Sequence, residues 1–183
     1  MMNEIAKQAW QVYQEAECLY DEAQIQQALE NMASEISDAL ADKNPVVLSV
    51  MNGGLITAGQ LLPRCHFPLE MNYIHATRYN NTTEGGALEW LARPSVSLEG
   101  RTVLIVDDIH DVGATLEAII EECRNQGAAE VYCAVLINKL HDRKVEMRAD
   151  FVGLDIADRY IFGCGMDYQG YLRNLPAIYA IKE

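Results

Sequence analysis

The densest cluster of chemistry-bearing residues is the stretch VLIVDDIHDVGAT, from Val103 to Thr115. Its four leading apolar residues predict a strand, Asp107 and Asp108 an acidic turn, and Gly113 the opening of a helix. In open α/β sheets, ligands bind beyond the carboxyl ends of the strands. Gly113 allows close backbone approach, and the first amides of the helix, with the Thr115 hydroxyl, suit a phosphate. Acids beside such a loop make sense if they bind sugar hydroxyls, a metal or a proton. They could also cap the helix, but Asp107, Asp108 and Asp111 are three acids within five residues, more than one cap needs. Further on, Lys139 ends an apolar strand, where a cation either finds a partner or is solvated. Tyr160, beside Ile161 and Phe162, reads by itself as core, and Asp167 and Arg173, taken singly, as surface. His66, His75, His110 and His141 show no metal-ligand spacing, and Trp10 and Trp90 read as packing or interface residues.

The elements that must position these residues emerge from periodicity. Ala6, Trp10, Tyr13 and Ala16, then Ile25, Leu29, Met32, Ile36 and Leu40, recur at helical spacing, with Asp21 as a cap for the second helix. Residues 45–51 read as a buried strand ended by Asn52-Gly53-Gly54, with a helix following through Leu62. Residues 69–77 predict a strand, 80–86 a polar excursion, and 87–92 its return. Residues 101–106 predict a strand running into the acids, and a helix from Gly113 runs through Arg124 and stops at Gly127. Further strands are expected over 131–138 and 150–154. A helix between two apolar strands is the signature of a parallel sheet, so the fold class is α/β: a mostly parallel twisted sheet flanked by helices. No repeat or linker interrupts the chain, which reads as one domain over 1–183, with a helical segment 1–43 and a core 44–183.

Composition narrows the partners. The chain has 183 residues, and 27 Asp and Glu against 14 Lys and Arg give a formal charge of −13. That surplus opposes binding to nucleic acid or to an anionic membrane, both of which need a positive surface. No apolar run approaches the roughly 18 residues of a membrane span, and the first residues show no signal-peptide pattern. Five cysteines without a CxxC pair favour reduced thiols, so a cytoplasmic protein is expected.

The stretch from Val103 to Thr115 resembles the phosphoribosyl-pyrophosphate motif of type I phosphoribosyltransferases. The succession Asn138-Lys139, Asp150–Leu154, Asp158–Gly163, Met166–Tyr168 and Tyr171–Leu175 is similar to that of the hypoxanthine-guanine phosphoribosyltransferases, and the likeness spans roughly residues 44 to 182. The resemblance implies transfer of phosphoribose to hypoxanthine or guanine with Mg²⁺, in a homodimer or homotetramer, under a small hood made by the N- and C-terminal segments. Asp107 and Asp108 would bind the ribose hydroxyls, and Asp111, Val112, Gly113, Ala114 and Thr115 the 5′-phosphate. Asp111 would be the general acid/base at purine N7. Lys139 would donate to the 6-oxo group, Tyr160 stack on the purine, and the Ile161 backbone meet its 2-position. Asp167 would border the purine site and, with Asp107 and Asp108, serve as a metal ligand, holding a second Mg²⁺ on the pyrophosphate side, where Asn52, Gly53 and Arg173 would contact pyrophosphate. A cis peptide at Met51–Asn52 also fits. Arg78 and Tyr79 would begin a lid.

Two positions depart from the family pattern. Asn52 stands where members often carry Lys or Arg, and Arg78 where they usually carry Ser, so Arg78 could restore the missing cation. A rival reading is a regulator of the same fold that senses the sugar phosphate without catalysis. An intact Asp111 and the purine segment 160–167 oppose it. A receiver-type acidic pocket is another, but it leaves Lys139, Tyr160 and Asp167 without a role.

Overall fold

The computed structural model describes residues 2–78 and 88–182. The elements in chain order are α1 (Glu4–Glu15), β1 (Glu17–Tyr20), α2 (Glu22–Leu40), β2 (Val46–Val50), α3 (Gly54–Leu61), β3 (Glu70–Arg78), β4 (Leu88–Ala92), β5 (Thr102–His110), α4 (Ala114–Asn125), β6 (Glu130–Leu140), β7 (Phe151–Ala157), β8 (Ile161–Phe162) and β9 (Ile178–Ala180). Six strands form the main sheet in the order β4-β3-β2-β5-β6-β7. All of its pairings are parallel except that of edge strand β4 with β3.

Strands β2 and β5 are continuous apolar runs because both sheet faces are covered. Val47, Leu104, Val106 and Leu136 pack toward α2 and α3 on one side. Val46, Leu48, Val103, Ile105 and Val135 pack toward α4 on the other. The chain leaves β2 through α3 toward β3, and leaves β5 through α4 toward β6, in opposite directions along the sheet. The order therefore reverses between β2 and β5, and the two loops beyond their carboxyl ends face each other across the switch point.

The hood is a second sheet, β1-β9-β8, joined to α1. Phe162 stacks on Tyr179 at 5.8 Å, and Tyr13 meets Tyr179 edge-on at 5.0 Å. Ile161, Met166, Ile178 and Ala180 face the main core, so the hood is seated on the sheet that it caps.

The segment 1–43 is not wholly helical. Strand β1 interrupts it because Glu17–Tyr20 pairs with β9 across the whole chain, a partner that local periodicity does not reveal. Strands β8 and β9 escape local periodicity for the same reason. β5 and β6 run further than expected, through Asp107–His110 and Lys139–Leu140, since the backbone ladder continues where side chains turn polar. The cysteines are all free, with only Cys18 exposed. Among the described residues, no helix is long and apolar enough to cross a membrane.

The cap expected at Asp21 is a full capping box: Gln24 N donates to Asp21 Oδ1 at 2.9 Å, and Asp21 N to Gln24 Oε1 at 3.0 Å. Asp21→Ala should lower unfolding free energy by about 1 kcal/mol in urea titration while leaving the unfolding slope unchanged.

Candidate active site

Three loops converge on Asp108. It is buried near the end of β5, only 6% exposed, and its carboxylate rests on the backbone of Gly53. A Cβ at Gly53 would lie 2.0 Å from Asp108 Oδ2, so no side chain fits there. Gly165, from the hood, closes the third side with φ +108°; a Cβ there would lie 2.3 Å from the Gly53 carbonyl oxygen and 2.9 Å from Asp108 Cβ. The Met51–Asn52 peptide that leads into Gly53 is cis.

Asp107 and Asp108 are adjacent carboxylates with little solvent. Burial, then the Asp108 charge, pushes Asp107 well above the ordinary carboxylate range, although Asp108 N donates to its Oδ1 at 2.9 Å. Burial raises Asp108 too, against the hydrogen bond from Asp107 and the charge of Arg173. Arg173 bridges the site: Nη1 lies 3.9 Å from Asp108 Oδ2 and donates to the Gly165 carbonyl at 2.6 Å, while Nη2 lies 2.6 Å from Asp167 Oδ1. Asp167 Oδ2 accepts from Gly170 N at 2.7 Å, so both of its oxygens are engaged.

A cavity of about 460 Å³ opens between these loops, lined by Asn52, Gly53, Asp107, Asp108, Arg173 and the loop from Asp111 to Thr115. Gly113, at φ +88°, is the N-cap of α4, and no side chain caps the helix. The capping role open to Asp107, Asp108 and Asp111 is therefore not the one they take. The positive end of α4 faces the cavity with no side chain bonded to its free amides, which suits an anion. Val112 is held from outside, since Val145 N donates to its carbonyl at 3.0 Å.

A second cavity, about 360 Å³, shares Asp108, Ile109, Asp111 and Arg173 with the first and adds Lys139, Tyr160, Ile161, Met166 and Asp167. The β5–β6 register sets His110 opposite Asn138, which brings Asp111 to Lys139. Lys139, 9% exposed, has the partner that a buried cation needs: its Nζ lies 3.3 Å from Asp111 Oδ2 and 3.6 Å from Asp158 Oδ1. Tyr160 is 53% exposed at the cavity rim, touching Tyr168 edge-on, and is not the core residue its neighbours suggest.

His141 shows no metal-ligand spacing in the sequence, yet its Nε2 lies 2.6 Å from Asp111 Oδ1. No local pattern signals this contact, which spans 30 positions and follows from the register that pairs His110 with Asn138. Burial raises the Asp111 pKa, but the His141 hydrogen bond and the Lys139 charge outweigh it and hold Asp111 below its ordinary value. Asp111, His141 and Asp158 have ligand atoms within 4.8 Å of one another. Lys139 on both acids, and Arg143 at 2.5 Å from Asp158, make this an ion-pair network. The Asp107–Asp108 pair differs, having Arg173 as its one cation within 4 Å among the described residues. Its oxygen donors fit a hard divalent ion. Arg78 ends β3 and its side chain lies outside the described residues, as do Tyr79 and the rest of the expected lid.

The model of the phosphoribosyl transferase domain matches residues 15–169. The chain is 32% identical over 165 residues to a hypoxanthine-guanine phosphoribosyltransferase of Bacillus subtilis, covering 90% of this chain and 92% of that one. It is 32% identical over 166 residues to a hypoxanthine-guanine-xanthine phosphoribosyltransferase of Tritrichomonas foetus, with 90% and 91% covered. Among solved structures, a hypoxanthine phosphoribosyltransferase from Staphylococcus aureus superposes with a TM-score of 0.88 at 27% identity, covering 93% and 94% of the two chains. The Trypanosoma cruzi enzyme in complex with IMP gives 0.86 at 28% identity, covering 93% and 96%. With the loop that suits an anion, the acid pair and the Lys139–Asp111 pocket at one switch point, these likenesses agree: the chain belongs to the phosphoribosyl transferase family, alongside its hypoxanthine-guanine members.

Proposed function

We propose that the chain transfers the 5-phosphoribosyl group of phosphoribosyl pyrophosphate to N9 of hypoxanthine or guanine, a purine-salvage reaction that yields IMP or GMP and pyrophosphate. The observation that carries this reading is the second cavity, where a buried cation and a carboxylate 3.3 Å apart face an exposed aromatic ring. A 6-oxopurine presents complementary groups. Its 6-oxygen accepts from Lys139, its N7–H donates to Asp111, and its face stacks on Tyr160, with Ile161 at the 2-position.

The loop from Asp111 to Thr115, including Val112, Gly113 and Ala114, takes the 5′-phosphate at the start of α4. Asp107 and Asp108 accept from the ribose hydroxyls. As N9 bonds to the anomeric carbon, the bond to the pyrophosphate oxygen breaks, and the N7 proton passes to Asp111. Mg²⁺, held by Asp107 and Asp108 with substrate oxygens, would neutralise charge on the departing pyrophosphate. Asp167 would join it only by exchanging Arg173, which together with Asn52 and Gly53 borders the pyrophosphate side. The leaving group thus meets the Gly53 backbone and the Arg173 guanidinium, while the side chain at 52 brings no charge.

The same reading places the protein in the cytoplasm as one domain, with small molecules rather than nucleic acid or membrane as partners. A homodimer or homotetramer is supported by the exposed apolar residues Leu55, Met71 and Tyr73 beside α3 and β3.

With Mg²⁺ and phosphoribosyl pyrophosphate, hypoxanthine or guanine should yield nucleotide and adenine should not; no product from any base rejects the reading. Asp111→Asn should cut turnover by ~10²–10⁴ while changing affinity for the sugar phosphate little, measured by single-turnover kinetics and calorimetry. The raised pKa of Asp107 means that its ionised form is disfavoured in the folded protein, a cost present at neutral pH and relieved as pH falls through the folded value. Asp107→Asn should therefore raise the melting temperature of the ligand-free protein at pH 7 while weakening catalysis.

A further inference from the structure

The Asp111–His141 contact carries more than a pairing of two side chains. His141 is deeply set, its side chain 6% exposed. Its Nδ1 accepts the backbone N–H of Arg143 at 3.2 Å, so that nitrogen carries no proton. The ring hydrogen is then on Nε2, which donates to Asp111 Oδ1 at 2.6 Å. His141 is thereby a neutral donor of fixed tautomer, aimed at one oxygen of a carboxylate whose other oxygen faces Lys139 Nζ at 3.3 Å.

The two oxygens of Asp111 are thus distinguished. Lys139 is shared between Asp111 and Asp158, and if it turns to the purine 6-oxygen, it releases Oδ2. Oδ1 stays bound to His141, because the Arg143 amide that orients the ring belongs to the backbone and is not displaced by a purine. We propose that His141 is a positioning residue for the proton transfer: it fixes the rotation of the Asp111 carboxylate and leaves Oδ2 as the atom that receives the N7 proton. Without it, the carboxylate is free to rotate about its terminal torsion or to remain on Lys139, and the accepting oxygen is no longer preset. An uncharged donor suits this task. A cation held permanently at Oδ1 would depress the basicity of Asp111 more strongly than a neutral N–H does. The proposal rests on the transferase reading above and adds a role for a residue outside its substrate contacts.

The test compares His141→Ala, His141→Gln and Asp111→Asn with the unaltered protein, using single-turnover rates with saturating phosphoribosyl pyrophosphate and hypoxanthine. His141→Ala should slow the chemical step about tenfold or more, since a hydrogen bond to a charged group is lost, with the KM for phosphoribosyl pyrophosphate within about twofold. His141→Gln, whose amide N–H can replace Nε2–H, should recover most of that rate. Adding His141→Ala to Asp111→Asn should cause little further loss, as the two act through one group. An unchanged rate in His141→Ala overturns the proposal, as does an equal loss in the Gln and Ala variants or a loss confined to KM. Thermal melts identify any variant that fails to fold. If the Ala variant does not fold, the Gln variant decides the matter: a folded Gln variant with a tenfold slower step overturns the proposal, and one near the original rate supports it. Loss of turnover in Asp111→Asn with none in His141→Ala leaves the transferase reading intact and removes only the role of His141. An unaltered protein that makes no nucleotide removes the reading itself.

Discussion

Asp108 sits where three segments of the polypeptide crowd together. Its carboxylate lies against Gly53, the hood approaches through Gly165, and a Cβ at either glycine would collide with backbone or carboxylate. A charge at this depth is expensive, and Arg173 compensates it only from 3.9 Å. The same Arg173 holds the Gly165 carbonyl and Asp167, so the guanidinium that steadies the acid also ties the hood to the sheet. The loop at Gly53, the acid pair at the end of β5 and the hood wall at Gly165 and Asp167 therefore share one anchor, and shifting any of them disturbs the others.

The main sheet supplies the stiffness that such packing requires. Helices on both faces bury β2 and β5 completely over their apolar halves, and the reversal of strand order leaves a crevice at their carboxyl ends. Charge is then distributed locally. In a protein of formal charge −13, the uncapped end of α4, Arg173 and Lys139 bring positive charge to the cleft, while Asp107 and Asp108 are left undercompensated. The surplus of acid opposes polyanionic macromolecules as partners, but an average charge does not describe the cleft, where Arg173, Lys139 and a helix terminus lie beside the acids.

Much of the fold was visible locally. Leu29, Met32, Ile36 and Leu40 form the buried stripe of α2 that their spacing implied, and the stretch from Val103 to Thr115 became strand, acid pair, loop and helix in the order expected. The short hood strands were not visible, because Glu17–Tyr20 acquires its partner only from the far end of the chain. Tyr160, taken alone, reads as core for a related reason. An aromatic between apolar neighbours looks like core, and only the turn from β7 into the hood exposes it.

By itself, the sequence determined the alternation of strands and helices, the position of the glycine loop that opens α4 and the identities of Asp107, Asp108 and Asp111 as groups with chemistry, while it left Lys139 between a partner and solvent. Those features are written in short-range patterns of apolar spacing, glycine and acid. The tertiary structure alone decided that Asp111 lies between Lys139 and His141, that Arg173 faces Asp108 and Asp167, and that no carboxylate caps α4. Asp111 and His141 are 30 positions apart, and their 2.6 Å contact depends on the register that pairs His110 with Asn138. Register follows from how the whole sheet packs against its helices, so residue types could propose the acid but not name the side chain that holds it in place.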